Sequence, residues 1–299
     1  MYIIDHPQPS EQLMRARNLA GQIIGTMMRK CSSAENDSAD EHSHRGFRWI
    51  KTDWTYPSFE HFTFAYKNQI FPVFVELFED GRSTMRDNER DRFLDAASKN
   101  DLIPCTSRIE VLPKATSPWG FWRKKNEDET PFSLRPLSSG WNLWDLRTGD
   151  PIDPATMGDD RDVEMSEWEK LDFCVQIVKN YLTKEHCKIT SCCNLPEIYP
   201  QIWFEDRNGY LCWCIVQYLP NVREDDHLKW VGIEKEVPQI EKYDGFFAGV
   251  SLASSRPVLH DKDGHIIPPS KRFIGEEPLY RGDGMFVNFR GTQRIHVAP

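Results

Sequence analysis

The chain contains no long apolar run. No stretch of it approaches the roughly 18 to 20 continuous apolar residues that a membrane-spanning helix requires. The first residues, MYIIDHPQPSEQ, include neither the basic region nor the apolar region of a secretory leader. We therefore expect a chain without a membrane segment that resides in the cytoplasm.

Cysteine is also scarce for a disulfide-stabilised protein, with 8 cysteines among 299 residues. Cys212 and Cys214 alternate with Trp213 inside an apolar run, a pattern typical of buried, reduced thiols. The composition excludes a disulfide scaffold and favours a reducing compartment.

Positive charge is in deficit. The 37 basic and 46 acidic side chains give a net charge of −9, of which −2 falls on residues 1–150 and −7 on residues 151–299. Because binding to polyanions depends on basic surface that releases counterions, neither nucleic acid nor an anionic membrane is expected as a partner. A protein partner with a basic surface fits this charge better.

Several catalytic motifs are missing. The sequence has no glycine-rich phosphate loop, no Gly-x-Ser-x-Gly elbow and no His-Glu-x-x-His helix. These absences argue against a P-loop nucleotidase, an α/β-hydrolase and a zincin. A cysteine–histidine pair stays open, since such partners meet in space rather than in sequence.

The material for folded domains is present. Apolar residues make up 39% of the chain and aromatic residues 12%, including 10 tryptophans. A chain of this length usually forms two ordinary domains rather than one core.

The sequence repeats itself. Residues Phe62–Leu77 align without gaps over Ile202–Gln217, and each segment consists of two apolar runs around a polar turn, centred on Asn68 and Asn208. Each pattern predicts a β-hairpin.

Three further pairs of similar segments occur in the same order in the two halves of the chain. Gln22 begins a Gln-Ile-Ile segment in the first predicted helix, as Gln176 begins Gln-Ile-Val in a later one. The other pairs are Asp101–Ile109 with Asp244–Leu252, and Leu143–Arg147 with Phe286–Arg290, which places Trp144 and Phe289 in neighbouring slots. The shared order predicts an internal duplication, with one αβ unit and its extra C-terminal strands in residues 1–160 and a second in residues 161–299.

Helices are predicted at three places. One begins after Ser10, one after Ser166, and one covers residues 87–99. Residues 233–243 are the weaker equivalent of the last, and the polar residues 31–45 are expected to form a mobile loop. The predicted class is α/β, of the α+β kind, with two tandem copies of a helix-strand-hairpin-helix-strand unit.

The unit resembles the core of the restriction-endonuclease-like, or PD-(D/E)xK, superfamily. The segments that carry the resemblance are Tyr199–Phe204 and Leu211–Gln217, which are similar to the metal-binding hairpin of that superfamily. The resemblance implies an aspartate after a proline on one strand, and an acid, one spacer and a lysine on the next. Those groups would hold Mg²⁺ and position the attacking water.

The sequence departs from that pattern at the chemical positions. Gln201 stands where the aspartate is expected, and residues 213–217 contain neither acid nor lysine. Catalysis is therefore not expected. The remaining candidate carboxylates are Glu60, Glu76, Glu205 and Asp206.

Histidine and cysteine concentrate near the second hairpin, where the candidate metal ligands are His186, Cys187, Cys192 and Cys193. The spacing lacks the paired Cys-x₂-Cys knuckles of structural zinc sites, so we expect buried thiols and no cofactor. Residues 261–265 begin like a calcium loop but lack an acid at the twelfth position, which predicts a surface turn. Arg281-Gly-Asp283 is likewise interpreted as a turn.

A candidate binding loop combines aromatic and basic side chains. It consists of Trp119, Phe121, Trp122 and Arg123. Such a loop suits a partner surface or base stacking, and linker residues that dock on a neighbouring domain are the alternative.

The leading hypothesis is a non-enzymatic interaction protein of adaptor, immunity or inhibitor type. A divergent metal-dependent nuclease is the first alternative, and three carboxylates converging in a cleft would favour it. A small-molecule binding protein is the second, and a large apolar pocket with a few polar groups would favour that. Sequence does not indicate an oligomeric state.

Overall fold

The computed structural model describes residues 10–35, 46–50, 61–113, 131–159, 161–196, 198–220, 238–261, 263–268, 271–272 and 277–296. These residues form four α-helices and two mixed sheets, so the α+β prediction is confirmed. The helices are α1 (Glu11–Glu35), α2 (Asp87–Lys99), α3 (Pro154–Met157) and α4 (Glu167–Lys184). No helix of these residues has the length and hydropathy needed to cross a membrane.

Strands fall into two groups along the chain. The first sheet contains β1 (Arg48–Ile50), β2 (His61–Tyr66), β3 (Gln69–Glu79), β4 (Arg82–Ser83), β5 (Cys105–Pro113), β6 (Phe132–Pro136) and β7 (Trp144–Asp145). The second contains β8 (Lys188–Cys192), β9 (Ile202–Glu205), β10 (Leu211–Tyr218), β11 (Asp244–Ser254), β12 (Met285–Phe289) and β13 (Gln293–His296).

The long helices begin where the sequence predicts. The Ser10 hydroxyl accepts a hydrogen bond from the Leu13 amide at 3.2 Å, at the start of α1. Ser166 caps α4 with a reciprocal capping box to Glu169. One face of each helix is apolar and buried: Ala16, Ala20, Ile24 and Met28 in α1, and Leu171, Cys174, Val175, Val178 and Leu182 in α4.

Each helix packs on one face of its own sheet. Ile24 shares a buried cluster with Phe64 and Val73, while Val175 shares one with Phe204 and Cys214. The burial of these faces fixes which side of each strand turns inward, because successive side chains of a strand alternate between the two faces.

The two sheets have the same strand order. The first runs β1-β2-β3-β5-β6 and the second β8-β9-β10-β11-β12. The central pairs, β3 with β5 and β10 with β11, are parallel, and the flanking pairs are antiparallel. A short additional strand pairs with the start of the strand at the fourth position in each sheet, β7 with β5 and β13 with β11.

The predicted gapless alignment of the hairpins is wrong by one residue. It places Val73 over Trp213, but Val73 faces α1 whereas Trp213 faces away from α4. The structural counterpart of Val73 is Cys214, since these residues pair with Phe62 and Ile202 respectively. The cause is turn length: Lys67 and Asn68 form a two-residue turn, whereas Asp206–Tyr210 form a longer one.

The predicted match between Trp144 and Phe289 is also wrong. Trp144 pairs with Thr106 near the start of β5, while Phe289 pairs with Val250 in the second half of β11. The strand that corresponds to β12 in the first sheet is β6. The alignment of Trp144 with Phe289 fails because short strands next to turns contain too few residues for a distinctive sequence pattern.

One loop prediction needs correction as well. Helix α1 continues through residues 31–35, which the sequence predicts as part of a mobile loop, while residues 36–45 lie outside the described residues. The sequence does not predict the short helix α3. Of residues 233–243, the described part forms a 3₁₀ helix over Pro238–Lys242.

Residues from the second half pack into the first sheet. Trp168 of α4 lies in one buried cluster with Ala65, Ile70 and Leu102, on the face of that sheet that also carries α2. Leu195 packs against the same cluster. The boundary near residue 160 stays a prediction.

Candidate functional site

Gln201 is the residue that the sequence places where the resemblance implies a metal-binding aspartate. Its side chain is 1% exposed, and both amide atoms are used inside the protein. Oε1 accepts the Val216 amide at 2.9 Å, and Nε2 donates to the Ile198 carbonyl at 2.9 Å. Gln201 therefore links the residues just before β9 to β10, and neither of its amide atoms is available as a metal ligand.

A small polar cluster lies beside Gln201, at the end of β8. The Cys193 amide donates to the Gln201 carbonyl at 2.7 Å, and Asn194 follows directly. Asn194 Nδ2 donates to Asp172 Oδ1 of α4 at 2.8 Å, whereas its Oδ1 is buried without a hydrogen-bond partner in the structure. The cluster contributes one carboxylate, whereas a hard divalent cation takes several oxygen ligands.

Glu76 is the candidate acid of the first hairpin. It is 7% exposed, accepts the Ser83 hydroxyl at 2.5 Å and accepts Arg108 Nε at 3.2 Å. The Arg108 guanidinium also lies 4.8 Å from the centroid of the Trp144 ring. Because Arg108 already compensates the negative charge of the carboxylate, Glu76 acts as a structural partner of Arg108.

The other candidate carboxylates do not join Glu76. Glu205 forms an ion pair with Lys188 across two neighbouring strands, with Nζ 3.1 Å from Oε2. Asp206 Oδ1 accepts the amides of Asn208 and Tyr210, both at 2.8 Å, and so stabilises the hairpin turn. Glu60 lies outside the described residues.

His186 and Cys187 close helix α4. His186 has a φ of 63°, its amide donates to the Thr183 carbonyl at 3.0 Å, and the Cys187 amide donates to the Leu182 carbonyl at 2.9 Å. This is the Schellman pattern, in which a left-handed residue satisfies the last carbonyls of a helix. The pair has a local structural role.

The thiols have raised pKa values where they are buried. Burial raises the pKa of Cys174 and of Cys214, and it raises the pKa of Cys212 to about 11 with a smaller contribution from Asp206. Burial also raises the pKa of Cys187, which is partly exposed. Thiols of this kind are mainly protonated at neutral pH, whereas metal binding and nucleophilic attack use the thiolate.

Within the described ranges, one group of three ligand side chains lies within 4.8 Å of one another: Asp261, Asp263 and His265. Asp261 Oδ1 accepts the amides of the other two residues at 2.9 and 2.8 Å. These bonds form the turn that the sequence predicts here. Cys192 and Cys193 do not belong to such a group.

A shallow cleft opens between the end of α4 and the second hairpin. Its volume is about 260 Å³. Aromatic and aliphatic side chains line it together with a polar rim: Tyr181, Leu182, Glu185, Cys187, Phe204, Asp206, Arg207, Asn208, Phe246 and Thr292. Ligand pockets usually exceed about 300 Å³, so the cleft gives little support to the small-molecule alternative.

Sequence patterns missed the most heavily hydrogen-bonded side chain, Arg281. It is 4% exposed, and its Nη2 lies 2.8 Å from Glu169 Oε2. Its Nε also donates to Glu169 Oε1 at 2.8 Å. Its hydrogen bonds to other residues go to main-chain carbonyls of the first half, at Asn100 (2.9 Å), Asp101 (3.0 Å) and Asn68 (3.4 Å). Arg281 therefore ties the second half to the hairpin turn and to the end of α2.

A second arginine stands near the same carboxylate. The pKa of Arg48 is lowered, mainly by burial, with Arg281 contributing in the same direction and Glu169 opposing it. Glu169 thus interacts with two guanidinium groups. The candidate binding residues Trp119, Phe121, Trp122 and Arg123 lie outside the described residues.

Of the comparisons with known proteins, the one that found a match places it in the second half of the chain. Residues 168–295 match a family model described as a domain of unknown function, DUF8840. The match begins in the first turn of α4 and ends in β13. No curated protein matches the chain, and no solved structure matches it.

The matched region contains the second sheet except its last residue, His296, and the helix that covers that sheet except its first residue, Glu167. The matched region also includes Glu169 and Arg281, which connect the two halves of the chain. Arg48 lies outside it, as do the carbonyls of Asn68, Asn100 and Asp101 that accept from Arg281.

Proposed function

We propose that the chain is a non-enzymatic, cytoplasmic interaction protein of adaptor, immunity or inhibitor type, built from two degenerate nuclease-like units and acting through a protein partner. The observation that carries the proposal is the engagement of Gln201. Both its amide atoms bond to the main chain, at Val216 and Ile198, in the position where the resembling superfamily needs a metal ligand.

The first hairpin supports the same conclusion. Its nearest described acid, Glu76, is buried against Arg108 and Ser83. A catalytic carboxylate must be able to release such partners and face the substrate, and breaking a partly buried charge pair is costly. Among the described residues the one group of converging ligand side chains is the turn at Asp261, Asp263 and His265, and it includes none of the candidate carboxylates of the two hairpins.

The shared strand order supports the duplication within this proposal. Six strand positions recur in the same order and with the same orientations, and each unit has its long helix ahead of the first strand. The equivalent central pairs are Val73 with Cys105 and Cys214 with Phe246. Two units with one topology, in which the described residues assemble no catalytic set, fit a fold that serves binding.

The first experiment tests for nuclease activity. The purified chain is incubated with single- and double-stranded DNA and RNA in Mg²⁺ or Mn²⁺, beside a variant with Glu60→Ala, Glu76→Ala, Glu205→Ala and Asp206→Ala. We expect no metal-dependent cleavage by either protein. Cleavage by the native chain that disappears in the variant would reject the proposal in favour of the nuclease alternative.

The second experiment identifies the partner. The tagged chain captures proteins from a native-host lysate, and each candidate is then purified and mixed with the chain at known concentrations. We expect one candidate to re-form a stoichiometric complex in sedimentation velocity. If no candidate does so, and the chain instead retains a small metabolite that is detected by mass spectrometry, the small-molecule alternative replaces the proposal.

A further inference from the structure

Strand β12 forms an outer edge of the second sheet. It pairs with β11 on one side, and in the described part of the chain no strand pairs with its other side. Two hydrogen bonds show which of its main-chain groups face outward. The Ser255 amide donates to the Gly284 carbonyl at 2.9 Å, and the Val250 carbonyl accepts from Leu219, on the β10 side of β11, at 2.8 Å.

These bonds determine the pairing of the whole strand. In an antiparallel pair, directly opposite residues alternate between those that bond to each other and those that turn their groups away. Ser251 and Ala253 therefore bond to Asn288 and Phe286 of β12. The outward-facing amides and carbonyls belong to Met285, Val287 and Phe289, a row about 14 Å long.

The side chains along this edge are apolar and exposed. Phe286 is 50% exposed and Val287 is 43% exposed. The Arg272 guanidinium lies 5.8 Å from the centroid of the Phe286 ring. Exposed aromatic side chains next to arginine are the composition typical of protein interfaces.

The corresponding edge of the first sheet is closed to pairing. Strand β6 ends in Pro136, which has no amide to donate, and Arg135 forms an ion pair with Glu110 of β5. Proline and charged side chains are the usual means by which proteins block an edge. Strand β12 contains neither.

The local charge is opposite in sign to that of the chain. Residues 285–296 contain Arg290, Arg294 and His296 and no acidic residue, whereas the whole chain has a net charge of −9. Arg294 forms an ion pair with Asp244, and Arg290 is exposed with no ion pair to another described residue. Two copies of this edge would repel each other, so the charge favours an acidic partner over self-association.

We propose that β12 is a docking edge for an extended, acidic segment of a protein partner, which adds a strand to the second sheet beside Met285, Val287 and Phe289. Main-chain hydrogen bonds supply the affinity, while Phe286 selects an apolar side chain and Arg290 selects an acidic one about four positions away on the same face of the added strand. This inference rests on the proposed interaction function and specifies where the partner binds.

The test uses the full chain and a displayed library of random peptides of about ten residues, a length typical of strands. Binders are selected on the native chain after depletion on a Val287→Pro variant. This substitution removes an outward-facing amide that β11 does not use, so it is compatible with the fold. We expect enriched peptides that carry an apolar residue and, about four positions away, an aspartate or glutamate.

Synthetic versions of those peptides are then measured by fluorescence anisotropy. Val287→Pro and Arg290→Glu should each weaken binding about tenfold or more, a loss of about 1.4 kcal/mol. Arg82→Glu, an exposed charge reversal in β4 of the other sheet, should leave it unchanged and serves as the matched control. Higher salt should weaken binding to the native chain, because screening reduces the attraction between exposed charges.

Four outcomes would overturn the inference. They are an absence of Val287-dependent peptides, an enrichment of basic or uncharged ones, a dimer of the chain that Val287→Pro abolishes, and single-stranded nucleic acid bound through Phe286 and Arg290. Arg290→Glu keeps the test informative if the proline variant melts early. If the partner captured from the lysate binds Val287→Pro normally, the docking edge is wrong while the interaction function stands; metal-dependent cleavage would reject the function itself.

Discussion

Arg281 grips Glu169 with two of its nitrogens: Nε lies 2.8 Å from Oε1 and Nη2 lies 2.8 Å from Oε2. Both side chains are nearly inaccessible to solvent, at 4% and 7% exposure for the residues. The same guanidinium bonds to three carbonyls of the first half, so one side chain satisfies groups from both halves of the molecule.

Breaking this pair should be costly. We expect Arg281→Ala to lower the free energy of unfolding by about 3–5 kcal/mol, because it leaves a buried carboxylate without its partner. Glu169→Ala should cost at least as much, since Arg281 and Arg48 both interact with that carboxylate. Urea unfolding followed by tryptophan fluorescence measures the loss.

Arg290→Ala, an exposed arginine, is the control and should change the unfolding midpoint little. Replacing both partners, with Arg281→Met and Glu169→Leu, should recover most of the loss, because the double variant leaves no unpaired charge. Equal midpoints for the native chain and Arg281→Ala would show that the pair does not hold the halves together.

The second prediction concerns Gln201. Gln201→Ala leaves the buried Val216 amide without an acceptor, which should cost about 1–3 kcal/mol. Gln201→Glu keeps an acceptor for Val216 but sets a carboxylate oxygen against the Ile198 carbonyl. Its folded-state pKa should therefore be raised, so the glutamate variant should be less stable at neutral pH and recover as pH falls below about 5.

Thermal melting of both variants between about pH 4 and pH 7 checks this contrast. The alanine variant lacks the titrating group and provides the control. A glutamate variant whose melting temperature does not depend on pH relative to the native chain would mean that Gln201 is more accessible than its hydrogen bonds indicate.

The third prediction is a loss of stability in alkali. In the folded chain burial raises the pKa of Cys212 from 9.0 to about 11 and the pKa of Tyr218 from 10.0 to about 12, and it raises those of Cys174 and Cys214. Since the unfolded chain ionises these groups first, their contribution to stability is complete below about pH 9 and declines above it.

Urea unfolding at several pH values from about 8 to 11 measures this decline. A Cys214→Ala variant should lose less stability across the range than the native chain, although it is less stable at pH 8 because it leaves a small cavity. Parallel curves for the two proteins would contradict a buried, protonated Cys214.

The fourth prediction is a matched pair of glycine substitutions. A Cβ on Gly245 would lie 2.2 Å from the Trp213 ring, which is itself fixed by hydrogen bonds to the Ile240 and Tyr243 carbonyls at 3.0 Å. We expect Gly245→Ala to destabilise by about 1–3 kcal/mol through overpacking. Gly21→Ala, where α1 leaves the Cβ open space, should stabilise by up to about 1 kcal/mol.

Differential scanning calorimetry distinguishes the two changes in one experiment. Equal changes in melting temperature for the two substitutions would show that Trp213 can move aside, and they would contradict the close packing of Gly245 against the Trp213 ring.

The sequence allowed α1, α2, α4 and the two hairpins to be predicted, because those depend on local patterns. Helix α4 illustrates this: its cap at Ser166 and its five periodic apolar residues are all found where expected. The end of α1 was missed because its last turns are polar. There Ser32 donates to the Met28 carbonyl at 2.9 Å, a bond that lets a serine continue a helix.

The contact between the two halves at Arg281 could not be predicted from the sequence, because no local sequence pattern indicates it. Arg281 and Glu169 are 112 positions apart, and Arg281 and Asn68 are 213 apart. A main-chain carbonyl can accept a hydrogen bond whatever the side chain of its residue, so the sequence does not indicate which residues accept from Arg281. The register of the second hairpin was missed for a related reason, since Asn68 and Asn208 are the same residue type in turns of different length.

The halves meet through unlike surfaces: the second contributes the beginning of α4, and the first contributes its hairpin turn and the end of α2. A contact of this head-to-tail kind does not close on itself, unlike a two-fold one, and leaves each unit with one unused end. Met14 near the start of α1 is 50% exposed, and Tyr210 in the second hairpin turn is 69% exposed. By strand order, these exposed residues belong to the surfaces that correspond to the two in contact.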